Sequence, residues 1–331
     1  MLSSLDIKNF KSIKSLKLGC KRLNIFIGEP NTGKSNILES IGMFSFLYYS
    51  KLGYDLHDFV RFESTSNLFY DEILDAPLSI NIGDFRMELG FKDGDFAGSC
   101  HSLNQRGDST GYLIFNGDHS GLRIQGWPSD LEPIGMCKFY RFRLRDTFQR
   151  RETEFLLPPF GDNLMSMLLS NKDLRVLANE PFKSRGHRLG LRPQEQKIEV
   201  IKDVDDIIIS HPYHLSSETF QRLIFYMAAI TTNKDSVLAF EEPEAHAFPF
   251  YTKYLAEMIA LDENNNQYFI STHNPYFLMP LMEKAPADEL AIFITYYEAY
   301  QTKVKPLSRS EMERITEIDV FSNIPAFLEA N

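Results

Sequence analysis

The sequence predicts an α/β fold built on a mostly parallel sheet, with a β-rich and partly helical lobe inserted into it. Three observations carry this expectation. Leu23-Asn-Ile-Phe-Ile27 is nearly continuous in apolar residues, as a strand buried on both faces must be; a glycine-bounded loop and a helical pattern from about Ser35 follow. From about residue 201 the chain alternates helix and strand. A helix near Thr219–Thr231 leads to Val237-Leu-Ala-Phe240, and another near Pro249–Leu261 leads to Gln267-Tyr-Phe-Ile270. A strand near Leu290–Thr295 and a short terminal helix complete the pattern. Such alternation implies parallel strands with a binding site at their carboxyl ends. Residues 51–200 read differently. There Leu78–Ile82, Phe85–Phe91, Tyr112–Phe115 and Leu122–Gln125 resemble strands, with Lys92-Asp-Gly-Asp95 as a turn signal.

The expected organisation is therefore a core of residues 1–50 and 201–331 with residues 51–200 inserted. Within the first part, Leu5–Phe10 and Ile13–Leu18 alternate like strands with one wet face, and Ile41–Tyr49 reads as one buried face of a helix. Near Asn163 the pattern turns helical, with Leu164, Met167, Leu168 and Leu174 on one side. No heptad pattern is sustained, which excludes a long coiled-coil arm.

Composition narrows the function classes. The 331 residues are 43% hydrophobic and 24% charged, with a net charge of −10. That balance gives no global attraction to nucleic acid or an anionic membrane, so any such contact needs a local basic patch. Cys20, Cys100 and Cys137 share no metal-ligand spacing and cannot all pair, which points to a reducing, cytoplasmic setting. The first residues lack the pattern of a signal peptide, and no run approaches the roughly 20 apolar residues of a membrane span.

Two groups of motifs carry chemistry. Gly28-Glu29-Pro30-Asn31-Thr32-Gly33-Lys34-Ser35 matches G-x-x-x-x-G-K-[ST] in full, between a buried strand and a helix. Its glycines let the backbone wrap phosphates, while loop amides and the helix N-terminus face the negative charge. Lys34 is expected to reach the β- and γ-phosphates of ATP, Ser35 to ligate Mg²⁺, and Asn36 to follow on the same helix start. Val237-Leu-Ala-Phe-Glu241-Glu242 is an apolar strand ending in two carboxylates: Glu241 is assigned to the metal and Glu242 to the attacking water. A second strand ends in Ser271-Thr-His273-Asn-Pro, where His273 is positioned to report the γ-phosphate.

Together these pieces resemble the ABC-type P-loop ATPases, in the branch of RecF, SMC and OLD (overcoming lysogenization defect) proteins. The resemblance rests on Gly28–Ser35, His214-Leu-Ser-Ser-Glu-Thr-Phe-Gln221, Phe240-Glu-Glu-Pro-Glu-Ala-His246 and Ser271-Thr-His-Asn-Pro-Tyr-Phe277. Leu5–Ile13 is similar to the opening strand of the branch, which implies that Lys11 lies near the nucleotide. Phe160-Gly-Asp-Asn-Leu164 is similar to a helix start in small bacterial AAA-family ATPases. The resemblance implies an ATPase head that dimerises head to tail, with Ser216 and Ser217 of one subunit capping the γ-phosphate held by the other. A serine cap with free helix amides suits an anion. Two departures stand out. Glu218 replaces the family's glycine, and a carboxylate near a γ-phosphate either turns outward or weakens the cap and slows hydrolysis. Ala247-Phe248 replaces a leucine and a histidine. Gln149 is the candidate for the glutamine of the family's Q-loop. No clustered acids of a Toprim nuclease follow the histidine strand, since Glu311, Glu313, Glu317 and Asp319 are spaced like a solvated helix face.

One basic segment stands apart. Lys138-Phe-Tyr-Arg141-Phe-Arg143-Leu-Arg145 places three arginines on one face of a strand. Two readings remain open: a track for a nucleic-acid backbone, or a wet face paired with nearby acids or a subunit contact. The leading functional expectation is an ATP-hydrolysing switch that forms a homodimer or higher oligomer. It would govern a separate effector protein, as OLD-like ATPases do in anti-phage or toxin systems. The alternatives are a nucleotide-stabilised scaffold that hardly hydrolyses, and a RecF-like DNA-repair ATPase.

Overall fold

The computed structural model describes residues 1–103, 109–125 and 129–329. Its strands are β1 (Ser4–Phe10), β2 (Ile13–Gly19), β3 (Leu23–Ile27), β4 (Leu78–Ile82), β5 (Phe85–Lys92), β6 (Asp95–Leu103), β7 (Ser109–Asp118), β8 (Gly121–Gln125), β9 (Cys137–Tyr140), β10 (His187–Arg192), β11 (Lys197–Val204), β12 (Ile207–Pro212), β13 (Val237–Glu241), β14 (Gln267–Ser271), β15 (Leu290–Glu298) and β16 (Gln301–Pro306). The helices are α1 (Lys34–Tyr49), α2 (Leu56–Phe59), α3 (Leu164–Ser170), α4 (Lys172–Lys183), α5 (Glu218–Thr232), α6 (Pro249–Ala260), α7 (Pro275–Lys284), α8 (Arg309–Arg314) and α9 (Ile324–Leu328).

Six strands in the order β16-β15-β3-β14-β13-β9 form the sheet that carries the motifs. All its pairings are parallel except the β15–β16 hairpin. The alternation within β3 explains its apolar run. Leu23, Ile25 and Ile27 join a core that includes α5, α6 and α7, while Phe26 enters a second core on the other face. There Phe26 stacks on Phe293 of β15 and Phe269 of β14, with ring centroids 5.1 and 6.5 Å away. Asn24, the polar exception, is satisfied by the carbonyls of Lys21 and Tyr268.

The second core lies between this sheet and an antiparallel one in the order β2-β1-β4-β5-β6-β7-β8. Helix α1 runs through it. The helix is buried on nearly every side rather than along one face, because both layers cover it. A third sheet, β10-β11-β12, packs beside α4 and α5.

The sheets cut across the expected division of the chain. Strand β9, from the middle zone, is the edge of the parallel sheet and is buried at all four residues. Conversely β1, from the first zone, pairs with both β2 and β4 in the antiparallel sheet. The β15–β16 hairpin extends past the single strand read from the sequence, and Tyr297 and Tyr300 near its turn are exposed.

Gly28 closes β3 at φ +147°, and a Cβ there would lie 2.1 Å from the Thr295 carbonyl oxygen of β15. Gly53 also has a positive φ, of 87°, but faces open space. Gly28→Ala is expected to cost about 2–4 kcal/mol, from backbone strain plus overpacking. Gly53→Ala carries only strain and is expected to cost about 1 kcal/mol. Urea unfolding of both variants against wild type tests this; equal losses would mean that the Gly28 contact relaxes.

Candidate functional site

The carboxyl ends of β3, β13 and β14 bring Gly28–Ser35, Glu241–Glu242 and His273 to one rim. A cavity of about 780 Å³ is lined by Pro30, Asn31, Thr32, Gly33, Lys34, Ser35, Asn36, Glu241, Glu242 and His273. Among the residues singled out in the sequence, Gly28, Glu29, Lys11, Ser216 and Ser217 do not line it.

The loop holds its shape through its own backbone. Asn31 and Gly33 both take positive φ, and the Thr32 hydroxyl donates to the Glu29 carbonyl at 2.9 Å. Gly33 is required by a close approach: a Cβ there would lie 2.0 Å from Thr302 Oγ1 of β16. Thr302 in turn shares a hydrogen bond of 2.6 Å with Ser12, whose hydroxyl also accepts from Asn36 Nδ2 at 2.6 Å. Lys34 Nζ donates to the carbonyls of Gly28 and Glu29 at 2.9 and 2.7 Å. Burial pushes its ammonium down to about 8, opposed by the charges of Glu242, Glu241 and Glu29. An incoming phosphate would find a cation already aimed along the loop.

The acidic end of β13 is divided. Glu241 Oε1 accepts from Arg61 Nη2 at 2.8 Å. Glu242 takes a left-handed backbone at φ +44°, and its carboxylate lies 3.3 Å from His273 Nε2. Burial, then the Lys34 charge, lower the His273 pKa, while Glu242 opposes them. The Ser35 hydroxyl and the Glu241 carboxylate are hard oxygen donors on one cavity. Among the described residues no group of three or more His, Cys, Asp or Glu could hold a metal. That donor set fits Mg²⁺, which protein sites commonly hold through one or two side chains plus nucleotide phosphates.

Several readings from the sequence need correction. Lys11 does not face the cavity: its ammonium forms an ion pair with the fully buried Glu39 and donates to the Arg61 carbonyl. The basic segment is not one strand face, because β9 ends at Tyr140. Arg141 turns into the cavity and reaches Glu39 at 3.3 Å, Arg145 pairs with Asp162 at 2.8 Å, and Arg143 lies over the Phe160 ring. Lys138 is buried against Asn233 and Ser236. Gln149 lines a different cavity, beside Arg150 and Thr153.

Ser216 and Ser217 line a second cavity of about 610 Å³, with Arg185, His187, His211 and Phe248, which shares no lining residue with the first. Ser217 is the N-cap residue of α5 but its side chain makes no cap hydrogen bond, while the Ser216 hydroxyl donates to the Tyr213 carbonyl at 2.7 Å. Glu218 turns along the helix to accept from Arg222 Nε at 2.8 Å, which satisfies its charge away from the capping amides.

Sequence reasoning missed Arg61, Arg222 and Tyr226 on the cavity wall, and the buried acids Glu39 and Glu244 beside it. A lone acid inside the apolar run Ile37–Phe46 is the signal that could have exposed Glu39.

A family model described as an AAA ATPase domain matches residues 1–82. An "ATP/GTP phosphatase" of Helicobacter pylori (strain ATCC 700392 / 26695) is 39% identical over 80 residues, which are 24% of this chain and 19% of that protein. The chain thus spans about a fifth of the length of the curated relative it matches. Among solved structures, an SMC head bound to the C-winged helix domain of ScpA aligns with a TM-score of 0.52 at 15% identity, over 95% of this chain and 99% of that one. The Smc head with an extended coiled coil, bound to the C-terminal domain of ScpA derived from Pyrococcus furiosus, gives 0.53 at 14%, over 96% and 98%. No helix among the described residues is long and apolar enough to cross a membrane.

Glu244 offers a test of the site's electrostatics. It is buried, one oxygen accepts from the Thr272 hydroxyl, and the other has no hydrogen-bond partner among the described residues. Burial raises its pKa to about 7 from an ordinary 4.5. The folded state therefore binds the extra proton between about pH 4.5 and 7, and the stability that this proton supplies is lost as pH rises through 7. Glu244→Gln, which cannot charge, is expected to gain on wild type by a few kcal/mol, of order 3, between pH 5 and pH 8. Urea unfolding at the two pH values decides; a constant difference would show that Glu244 stays charged throughout.

Proposed function

Proceeding from a fold like that of the SMC heads and a cavity built on the phosphate loop, we propose that this chain is an ABC-type P-loop ATPase that binds ATP with Mg²⁺ and hydrolyses it. Convergence of Lys34, Ser35, Glu241, Glu242 and His273 on one cavity supports this reading above any other observation. The backbone of Gly28–Ser35 cradles the phosphates, Lys34 neutralises them, and Ser35 and Glu241 hold the metal side. When bound, Mg²⁺ draws electron density from the phosphate oxygens and so eases attack at the γ-phosphorus. Glu242 orients the attacking water and takes its proton. His273, 3.3 Å from Glu242, keeps that carboxylate turned toward the water and contacts the γ-phosphate.

Two such chains are proposed to close head to tail around two ATP molecules. The support is the separation of Ser216 and Ser217 from their own phosphate loop, together with the free N-terminal cap of α5. A separate effector protein is proposed as the partner that reads this closure; the two SMC heads of similar fold each carry a domain of ScpA. The proposed setting, bacterial anti-phage defence or a toxin system, rests on the likeness of Phe240–His246 and Ser271–Phe277 to OLD-type ATPases.

Size-exclusion light scattering and phosphate release, with and without Mg·ATP, test both parts. Glu242→Gln is expected to lose at least about 100-fold in turnover and to double in mass with ATP. Lys34→Ala is expected to lose nucleotide binding and stay at one mass. If all three proteins ignore ATP in mass and release phosphate alike, the dimer and the roles of Lys34 and Glu242 are wrong.

A further inference from the structure

Glu39 lies on α1, fully buried, and the chemistry proposed above makes no use of it. One of its oxygens accepts from Lys11 Nζ. The other accepts from Arg61 Nε at 2.7 Å and lies 3.3 Å from Arg141 Nη2. The Arg61 backbone N–H also reaches it at 3.3 Å. One carboxylate thus gathers three cations, more than its own compensation requires. The surplus is directed at the nucleotide cavity, which Arg61 and Arg141 both line.

Arg61 reaches a second carboxylate. With Nε fixed on Glu39, its Nη2 donates to Glu241 Oε1 at 2.8 Å. A guanidinium presents its donors in a rigid planar fork, so anchoring Nε leaves the two Nη groups to find partners of their own. Glu241 is the carboxylate assigned above to the metal side. A guanidinium and a hydrated divalent cation compete for it, because each is compensated by the same charge. The Arg61 side chain is 55% exposed and that of Glu241 19%, so water screens their pair and it can be exchanged at low cost.

We infer that Arg61 is a latch pivoting on Glu39: it holds Glu241, and yields that carboxylate to a divalent cation by transferring its Nη donors to the phosphate oxygens of the nucleotide. Arg61 is in this sense a positioning residue for the metal-side carboxylate as well as an anion contact. Glu39 sets the pivot, and Arg141 keeps a second cation on the same wall throughout. The inference rests on the nucleotide site proposed above.

The two halves of the latch move two affinities in opposite directions, which a merely structural role would not do. The probes are a fluorescent ATP analogue in EDTA, and Mn²⁺ titrated by electron paramagnetic resonance without nucleotide, the state in which Arg61 holds Glu241. Arg61→Gln is expected to bind the ATP analogue about tenfold more weakly, having lost a charge-assisted contact to phosphate. It is expected to bind Mn²⁺ about three- to fivefold more tightly, because the competitor for Glu241 is gone. Arg61→Lys keeps the charge but has no fork to hold Glu39 and a second partner together, so it should bind the ATP analogue about threefold more weakly than wild type and Mn²⁺ more tightly. Thermal melts of the three proteins confirm that each is folded, and Arg61→Lys carries the test should the glutamine variant not be. If both affinities fall together in a folded Arg61→Gln, or neither moves, the latch is wrong while the nucleotide site stands. If wild type does not bind the ATP analogue at all, the site and the latch fail together.

Discussion

The site depends on β3 being locked in register between two parallel neighbours. Ile25 is paired with Ile270 on one side and Ile292 on the other, so the strand cannot slip without breaking both ladders. A slip of one residue would also exchange its faces, moving Phe26 out of its stack with Phe269 and Phe293 and driving Asn24 into an apolar layer. The register fixes where the chain leaves the sheet. Gly28 departs against the Thr295 backbone, and the loop that follows is pinned by Gly33 against Thr302. Glu241 and His273 inherit their positions from the same sheet, because β14 is paired in parallel with β3 and β13 in parallel with β14.

The electrostatics of the cavity follow from burial as much as from its list of charges. Lys34, Arg61, Arg141 and Arg222 line it against Glu241 and Glu242. Each cation already has a carbonyl or carboxylate partner: Lys34 the loop carbonyls, Arg61 and Arg141 Glu39, and Arg222 Glu218. Their directions are therefore fixed before any anion arrives, which removes much of the ordering cost of binding. Burial at Lys34 and Glu244 works in the opposite sense, lowering one pKa and raising the other, so that both groups resist being charged. A phosphate beside Lys34 would reverse that penalty for the lysine by supplying the counter-charge that its surroundings withhold.

Much of this was legible in the sequence. The apolar run of β3, the phosphate loop and the acidic end of β13 each have a local cause, burial on two faces or a fixed spacing, so a window of residues contains the whole signal. What was not legible depends on partners far along the chain. Glu39 meets Lys11, Arg61 and Arg141, and no periodicity links those positions. The arginines after β9 were misread because alternation alone extends a strand past the point where its pairing stops; β13 supplies partners only as far as Tyr140. Helix α1 looked one-sided because its few polar residues suggest a wet face, yet Ser40 and Ser45 are buried and bonded to neighbouring backbone. The antiparallel sheet that covers it draws β1 and β2 from one end of the sequence and β4–β8 from the next, a partnership that only topology reveals.

Helix α5 joins the two cavities mechanically. Its N-terminus carries Ser217, and one turn on, Arg222 lines the wall of the phosphate-loop cavity. Thr219 at its start donates to the His246 carbonyl at 2.8 Å, in the segment that directly follows Glu242. This first turn is closed by the Phe220 and Gln221 N–H groups, which donate to the Ser217 carbonyl at 3.0 and 3.2 Å. The end proposed to face a partner's phosphate and the wall around the chain's own phosphate are therefore tied through Arg222 and the Thr219–His246 contact. Glu218 belongs to that tie. Its carboxylate pairs with Arg222 one turn along the same helix, at 2.8 Å. The Glu218 carboxylate is thereby turned along the helix, at the position where repulsion of a phosphate was expected.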